Sequence, residues 1–301
     1  MGSRLSWNAD GSGWPNRQAS RFIEAAGYRW HVQVMGQGPV ALLAHGTGAA
    51  THSWRALMPL LAKRFTVVAP DLPGHGFTET PRAHRISLVS MARDLAALCA
   101  KLDVKPQLAV GHSAGAAVLA RMALDNMIAP KLIVSLNGAF LPFDGLAAFV
   151  LSPLAKALAF NPLMPWIFAR RAKDPEAVHR LIVNTGSAID AEGERLYGRL
   201  VASPAHVAAA MQMMANWDLR PLVRDLPRLR CDLLLIAAAN DRAVPPDVAR
   251  RVRELAAKAR LDVVPGYGHL MHEEAPQLTA DMIVTAAVES GIIAAQHDVS
   301  F

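Results

Sequence analysis

The pentapeptide Gly111-His112-Ser113-Ala114-Gly115 has the residue types and spacing that most directly suggest chemistry. It follows the apolar run QLAV and opens the helical pattern AGAAVLARMAL, so the serine is expected in a tight strand-to-helix turn. Such a turn lifts the hydroxyl off a sheet, and the helix that starts there turns its N-terminus toward developing negative charge. The flanking glycines fit because a Cβ at either position would crowd neighbouring backbone. A serine hydroxyl attacks a carbonyl only with a base to take its proton and an acid to orient that base. Asp241, in AAANDRAVPP, follows the run LLLIAAA, and His269, in PGYGHLMHEEAP, follows DVV. The chain order is Ser, Asp, His, each beyond the C-terminal end of a separate strand-like run, where an open α/β sheet holds its ligands. His272 is the rival base, and Asp241 has the alternative role of a helix cap after VPP. A rival acid position after LIVSL carries Asn137, which cannot hold the charge.

Acyl transfer also needs donors for an oxyanion. The loop His45-Gly46-Thr47-Gly48-Ala49 follows the third strand-like run, so the Thr47 amide is the first expected donor and the Ala114 amide the second. His45, Gly46, His112, Trp166, Met214 and Trp217 are expected to line a substrate pocket. Histidines such as His45, His75 and His112 more often hold a loop than do chemistry. No Cys/His/Asp/Glu spacing resembles a metal site, and no cofactor is expected.

The elements that must position these residues read as follows. SRFIEA and YRWHVQVM form a hairpin at Gly27. VALLAHG (40–46), FTVVAPD (65–71), QLAVGHS (107–113), KLIVSLNGA (131–139), CDLLLIAAAN (231–240) and RLDVVPG (260–266) read as strands. Helical patterns at 52–64, 87–102, 114–125, 248–258 and 275–290 separate them, which implies a mostly parallel sheet covered on both faces. The expected organisation is an N-terminal extension over 1–18, a core over 19–139 and 226–301, and a helical lid over 140–225.

The chain of 301 residues is 52% apolar and 19% charged, which excludes a disordered chain. A net charge of +6 without a Lys/Arg block excludes a nucleic-acid arm. Two cysteines, Cys99 and Cys231, make no disulfide framework, and the polar N-terminus lacks the apolar core of a signal peptide, so a cytoplasmic location is expected. No apolar run is long enough to span a bilayer, although residues 145–169 carry one charge and suit peripheral membrane contact.

Together HGTG, APDLPGHG, GHSAG, NDRAVPP and GHLMHEEAP resemble the α/β-hydrolase fold over about residues 19–290. That resemblance implies a mostly parallel sheet of about eight strands with a helical lid after strand six. Ser at position 113 disfavours the aspartyl-nucleophile branches. WPNR, WHVQ, HGTGAATHSWR, APDLPGHGFT and GYGHLMHEEAP further resemble the BchO-type α/β hydrolases, described as magnesium-chelatase accessory proteins. This narrower resemblance implies a role in bacteriochlorophyll biosynthesis, a tetrapyrrole as substrate and magnesium chelatase subunits as partners. The chain has no G-x-x-x-x-G-K-[ST] and so is not the ATP-hydrolysing motor. Three functions stand open: serine hydrolysis of an ester or related bond, porphyrin binding or chelatase assistance with an idle triad, and cofactor-free peroxidase or C–C hydrolase chemistry.

Overall fold

A computed structural model describes residues 4–82, 85–142, 161, 163–171 and 174–295. Eight strands form one sheet in the order β1-β2-β4-β3-β5-β6-β7-β8. They are β1 (Ser20–Ala25), β2 (Tyr28–Met35), β3 (Val40–Ala44), β4 (Thr66–Pro70), β5 (Leu108–His112), β6 (Leu132–Leu136), β7 (Asp232–Ala238) and β8 (Ala259–Val264). β1 and β2 pair antiparallel, as do β2 and β4; every later pairing is parallel.

The central strands are apolar along their length because both faces are covered. Leu42, Ala44, Leu233 and Leu235 face the helices Leu88–Lys101 and Ala114–Leu124, whereas Leu43, Leu234 and Ile236 face Leu57–Leu61 and Pro276–Glu289. Side chains alternate across a strand, so each strand feeds two apolar layers. The eight-strand α/β architecture read from the sequence is present.

One element departs from expectation. The helical pattern over 52–64 yields a short 3-10 turn, Thr51–Trp54, and a five-residue helix, Leu57–Leu61. Pro59 has no N–H to give the Arg55 carbonyl, and its ring disfavours a continuous helix there. The freed Arg55 carbonyl instead accepts from the Asn16 side chain at 3.2 Å. The N-terminal extension thus closes a gap that the proline opens, and Trp14 is buried there with its indole N–H on Thr51 Oγ1 at 3.0 Å.

Between β6 and β7 lie, among the described residues, helices Met164–Arg171, Pro175–Val183, Ala191–Val201, Pro204–Ala215 and Arg220–Asp225. Most of the stretch 145–169 singled out for membrane contact lies outside the described residues. Among the described residues no helix is long and apolar enough to cross a membrane.

Candidate active site

Ser113 sits between β5 and the helix Ala114–Leu124 with φ 51° and ψ −119°, a conformation that costs a non-glycine residue energy. Its surroundings over-determine it. The Ser113 N–H donates to the Leu136 carbonyl at 3.0 Å, and the Ser113 carbonyl accepts from Ala139 N–H at 3.0 Å. A Cβ on Gly111 would come within 2.4 Å of Ala116 Cα, and one on Gly115 within 2.0 Å of the Ala44 carbonyl oxygen. Only glycine permits this approach of turn to sheet. Ala114 is the first residue of the helix, so its N–H has no intrahelical partner. The loop after β3 abuts the same turn: a Cβ on Gly46 would lie 2.9 Å from Ser113 Cβ and from His112 Nδ1. Thr47 follows, half-buried, with its hydroxyl donating to Met213 Sδ at 3.4 Å.

Asp241 and His269 meet, with His269 Nδ1 2.7 Å from Asp241 Oδ2. A carboxylate accepts only, so Nδ1 carries the proton that faces it, which makes Nε2 the basic nitrogen of the neutral ring. The other aspartate oxygen accepts the N–H groups of Ala243 and Val244, both at 2.8 Å. The carboxylate does not cap the helix Pro246–Leu255, whose N-cap is Pro245 with no side-chain bond; it holds the turn before it through Oδ1 and faces the imidazole through Oδ2. Among the described residues the Ser113 hydroxyl has no hydrogen-bond partner. The link to the dyad runs through its neighbour, since the His112 ring lies 4.7 Å from the His269 ring and His112 Nε2–H donates to the His269 carbonyl at 2.9 Å.

Two supports were outside the sequence reading. Asn137, noted only as unable to act as the acid, donates to the carbonyls of His269 at 2.9 Å and Gly268 at 3.2 Å, while its Oδ1 accepts from Ala238 N–H at 2.7 Å. Its amide ties β6, β7 and the base loop, and its presence at the rival acid position was the available signal. The segment Thr185–Ser187 crosses the loops that carry Asp241 and His269. The Thr185 carbonyl accepts from Arg242 N–H at 3.0 Å and His269 N–H at 3.4 Å, and Ser187 Oγ accepts from Leu270 N–H at 2.8 Å. A Cβ on Gly186 would lie 2.0 Å from the Asn240 carbonyl, so the crossing is backbone on backbone. No short motif announces such a contact.

The model of the α/β hydrolase family matches residues 41–282. The chain belongs to the α/β hydrolase family. It is 39% identical over 273 residues to the magnesium-chelatase 30 kDa subunit of Rhodobacter capsulatus, covering 90% of this chain and 95% of that one, and it belongs with that subunit to the BchO-type group. It is 26% identical to 2-hydroxy-6-oxo-2,4-heptadienoate hydrolase of Pseudomonas putida, over 86% of this chain and 92% of that one. The epoxide hydrolase CorEH superposes with a TM-score of 0.76 at 23% identity, covering 90% of this chain and 98% of that one, a likeness of fold.

The remaining sequence-derived residues of this α/β hydrolase divide by placement. His45 is fully buried, receives Leu72 N–H on Nε2 at 2.8 Å and gives its Nδ1–H to the Gly46 carbonyl at 2.8 Å, so it holds two loops together. Burial, followed by the nearby His272 and His269, pushes the His112 imidazole well below its usual range and keeps it neutral. His272, the rival base, lies in the turn Met271–Glu274 rather than beside Asp241, with Nε2 2.7 Å from Ser53 Oγ. Burial first, then His269 and Arg55, lower it to about 3. Its neighbour Glu273 is a buried carboxylate that accepts from Ser53 Oγ and Tyr197 Oη, each at 2.8 Å, and pairs with Arg55. Arg55 also reaches Asp190 at 2.8 Å, so this network fastens the helix Ala191–Val201 to the base turn. Trp217 is buried in the main apolar cluster, whereas Trp166 and Met214 stand 52% and 41% exposed.

A Ser-His-Asp trio joined by hydrogen bonds lies elsewhere in the chain. His31 Nδ1 is 2.7 Å from Asp71 Oδ2, and His31 Nε2 is 2.9 Å from Ser20 Oγ. Both His31 and Asp71 are fully buried. Asp71 also accepts from Thr51 N–H at 2.7 Å and Phe77 N–H at 2.9 Å. Burial works to raise this carboxyl, but His31, which faces and hydrogen-bonds it, then the nearby His45 and the Phe77 N–H hold it well below the usual carboxylate range. Among the described residues no group of three His, Cys, Asp or Glu could hold a metal ion.

Proposed function

We propose that this protein is a serine hydrolase of an ester or related bond, acting through an acyl-enzyme in bacteriochlorophyll biosynthesis near the magnesium-chelatase step. Ser113 Oγ attacks the carbonyl carbon while His269 Nε2 takes its proton, and Asp241 steadies the imidazolium. The amides of Thr47 and Ala114 hold the oxyanion, each worth about 3–4 kcal/mol in the transition state. His269 then gives the proton to the leaving group as the carbon–heteroatom bond breaks. Water, deprotonated by the same imidazole, releases the acid and restores Ser113. The insertion over 140–225 acts as a lid, with Gly46, Met214 and Trp217 about the pocket and His45 and His112 bracing its loops. The flat apolar character of a tetrapyrrole suits such a lining.

The observation that carries this reading is the 2.7 Å bond between Asp241 and His269, in a loop held against the turn that strains Ser113. The test is complementation of a deletion strain. Wild type should restore pigment, and Ser113→Ala should accumulate the same intermediate as the empty vector. Normal pigment from Ser113→Ala would remove the enzymatic role in the pathway.

The name of the Rhodobacter relative favours a second reading, in which the protein assists magnesium chelatase or holds a porphyrin and the triad is idle. Normal pigment from Ser113→Ala, together with quenching of tryptophan emission on porphyrin titration, would favour it.

A further inference from the structure

The helix Met164–Arg171 buries only Pro165 and Ala169, against the helix Pro204–Ala215. Leu163, Trp166, Ile167 and Phe168 stand 66, 52, 52 and 46% exposed. At about 100° per residue these four side chains cover roughly 200° of the helix circumference. Single exposed apolar residues are ordinary, but four within six positions make a patch that needs a partner. A protein partner docking on a helix takes one stripe of it. An apolar arc this wide stands out on several sides at once and suits immersion in a medium.

Charge identifies the medium. From 145 to 173 the chain holds four basic residues, Lys156, Arg170, Arg171 and Lys173, and no acidic one, although 25 acidic residues occur overall. Other exposed arginines of the insertion are paired, Arg180 with Asp174 and Glu176, and Arg195 with Glu192. Among the described residues Arg170 and Arg171 make no ion pair. Tryptophan and phenylalanine beside unpaired arginines is the composition of a segment seated at a headgroup boundary, with rings among the upper acyl chains and guanidinium groups on phosphates.

We propose that the exposed face of Leu163–Arg171 seats the protein on an anionic lipid bilayer. The proposal does not depend on the hydrolase reading. It fits an apolar substrate that partitions into the same bilayer.

The test is flotation of the full chain with vesicles of phosphatidylcholine, alone or with 30% phosphatidylglycerol. The wild type should float with the anionic vesicles and much less with the neutral ones. Leu163→Glu combined with Ile167→Glu should abolish flotation while leaving the thermal melt and the turnover of a soluble p-nitrophenyl ester unchanged. Arg170→Gln combined with Arg171→Gln should weaken partitioning ten- to thirty-fold, as expected for about 1 kcal/mol per basic residue near the surface. Wild type that stays with the lipid-free fraction overturns the proposal. So does flotation unaffected by the Leu163/Ile167 pair, and so does a wild-type dimer in light scattering that this pair dissociates, which would make the face a contact between copies. Ester turnover reports separately on the catalytic reading.

Discussion

A hydrogen-bonded Ser-His-Asp trio and the candidate site around Ser113 sit in one molecule, and the one with every hydrogen bond closed is the less suited to chemistry. Ser20, His31 and Asp71 are joined at 2.9 and 2.7 Å. Yet Ser20 has ordinary extended backbone at φ −75° and ψ 135°, and its oxygen also takes a hydrogen bond from the Gln33 amide at 3.2 Å. The His31 ring is enclosed by Trp7, Phe22 and Phe77, with centroids 4.9, 5.3 and 5.4 Å away. Ser113 differs in its backbone: a strained turn, a helix beginning at the next residue, and the glycine-rich loop after β3 alongside. A relay of side chains is common currency for tying strands together. A nucleophile also needs an exposed hydroxyl and donor amides that meet charge as it develops.

The largest expected effects separate that trio from the candidate site. Ser113→Ala should lower ester turnover at least about a thousand-fold with an unchanged melt, whereas Ser20→Ala should leave turnover within about two-fold. Asp241→Asn should lower kcat by about 10³–10⁴ by favouring the wrong tautomer of His269. Asp71→Asn should act on stability instead, removing about 3–5 kcal/mol measured by urea unfolding, because a buried paired charge is lost.

Acid should unfold the protein early. Burial holds His206 at about 4 and His272 at about 3, and pushes His52, His75 and His112 well below their ordinary value. In the unfolded chain each titrates near 6.5, so the unfolded state binds more protons as pH falls below that value. Stability is then full above about pH 6.5 and falls between about 6.5 and 3, by up to about 1.4 kcal/mol per pH unit for each site. Urea midpoints measured from pH 8 to 4 check this. A flat profile would mean that these rings are solvated.

The smallest effect tests the crossing segment. Ser187→Ala removes one bond to Leu270, should cost about 1 kcal/mol, and should lower kcat a few-fold more than KM changes. An equal loss from Ser20→Ala in stability, with no change in kcat, would sharpen the contrast.

Local signals carried most of the fold and the centre of the candidate site. Strand-like runs set between helical patterns sufficed for the sheet, and the glycines around Ser113 announced the turn because backbone crowding there admits nothing else. The break in the pattern at 52–64 follows from Pro59, a breaker visible in the sequence, but its remedy at Asn16 is a contact across the fold. Asn137 stood at a strand end that the sequence singled out, but its partners, like those of Thr185 and Ser187, are backbone groups far along the chain. The Ser20 trio spans a strand, its hairpin partner and the end of a third strand, a spacing with no local signature. Ser187 and the Glu273 network lie where the stretch between β6 and β7 meets the turn after β8, and that docking depends on tertiary packing rather than period or motif.

The most direct measurement is covalent labelling with a fluorophosphonate, followed by peptide mass spectrometry. One adduct per chain on the peptide bearing Ser113, lost in His269→Gln, is the result expected. An adduct on the peptide bearing Ser20, or an unlabelled Ser113 in folded protein, would contradict the assignment of the nucleophile.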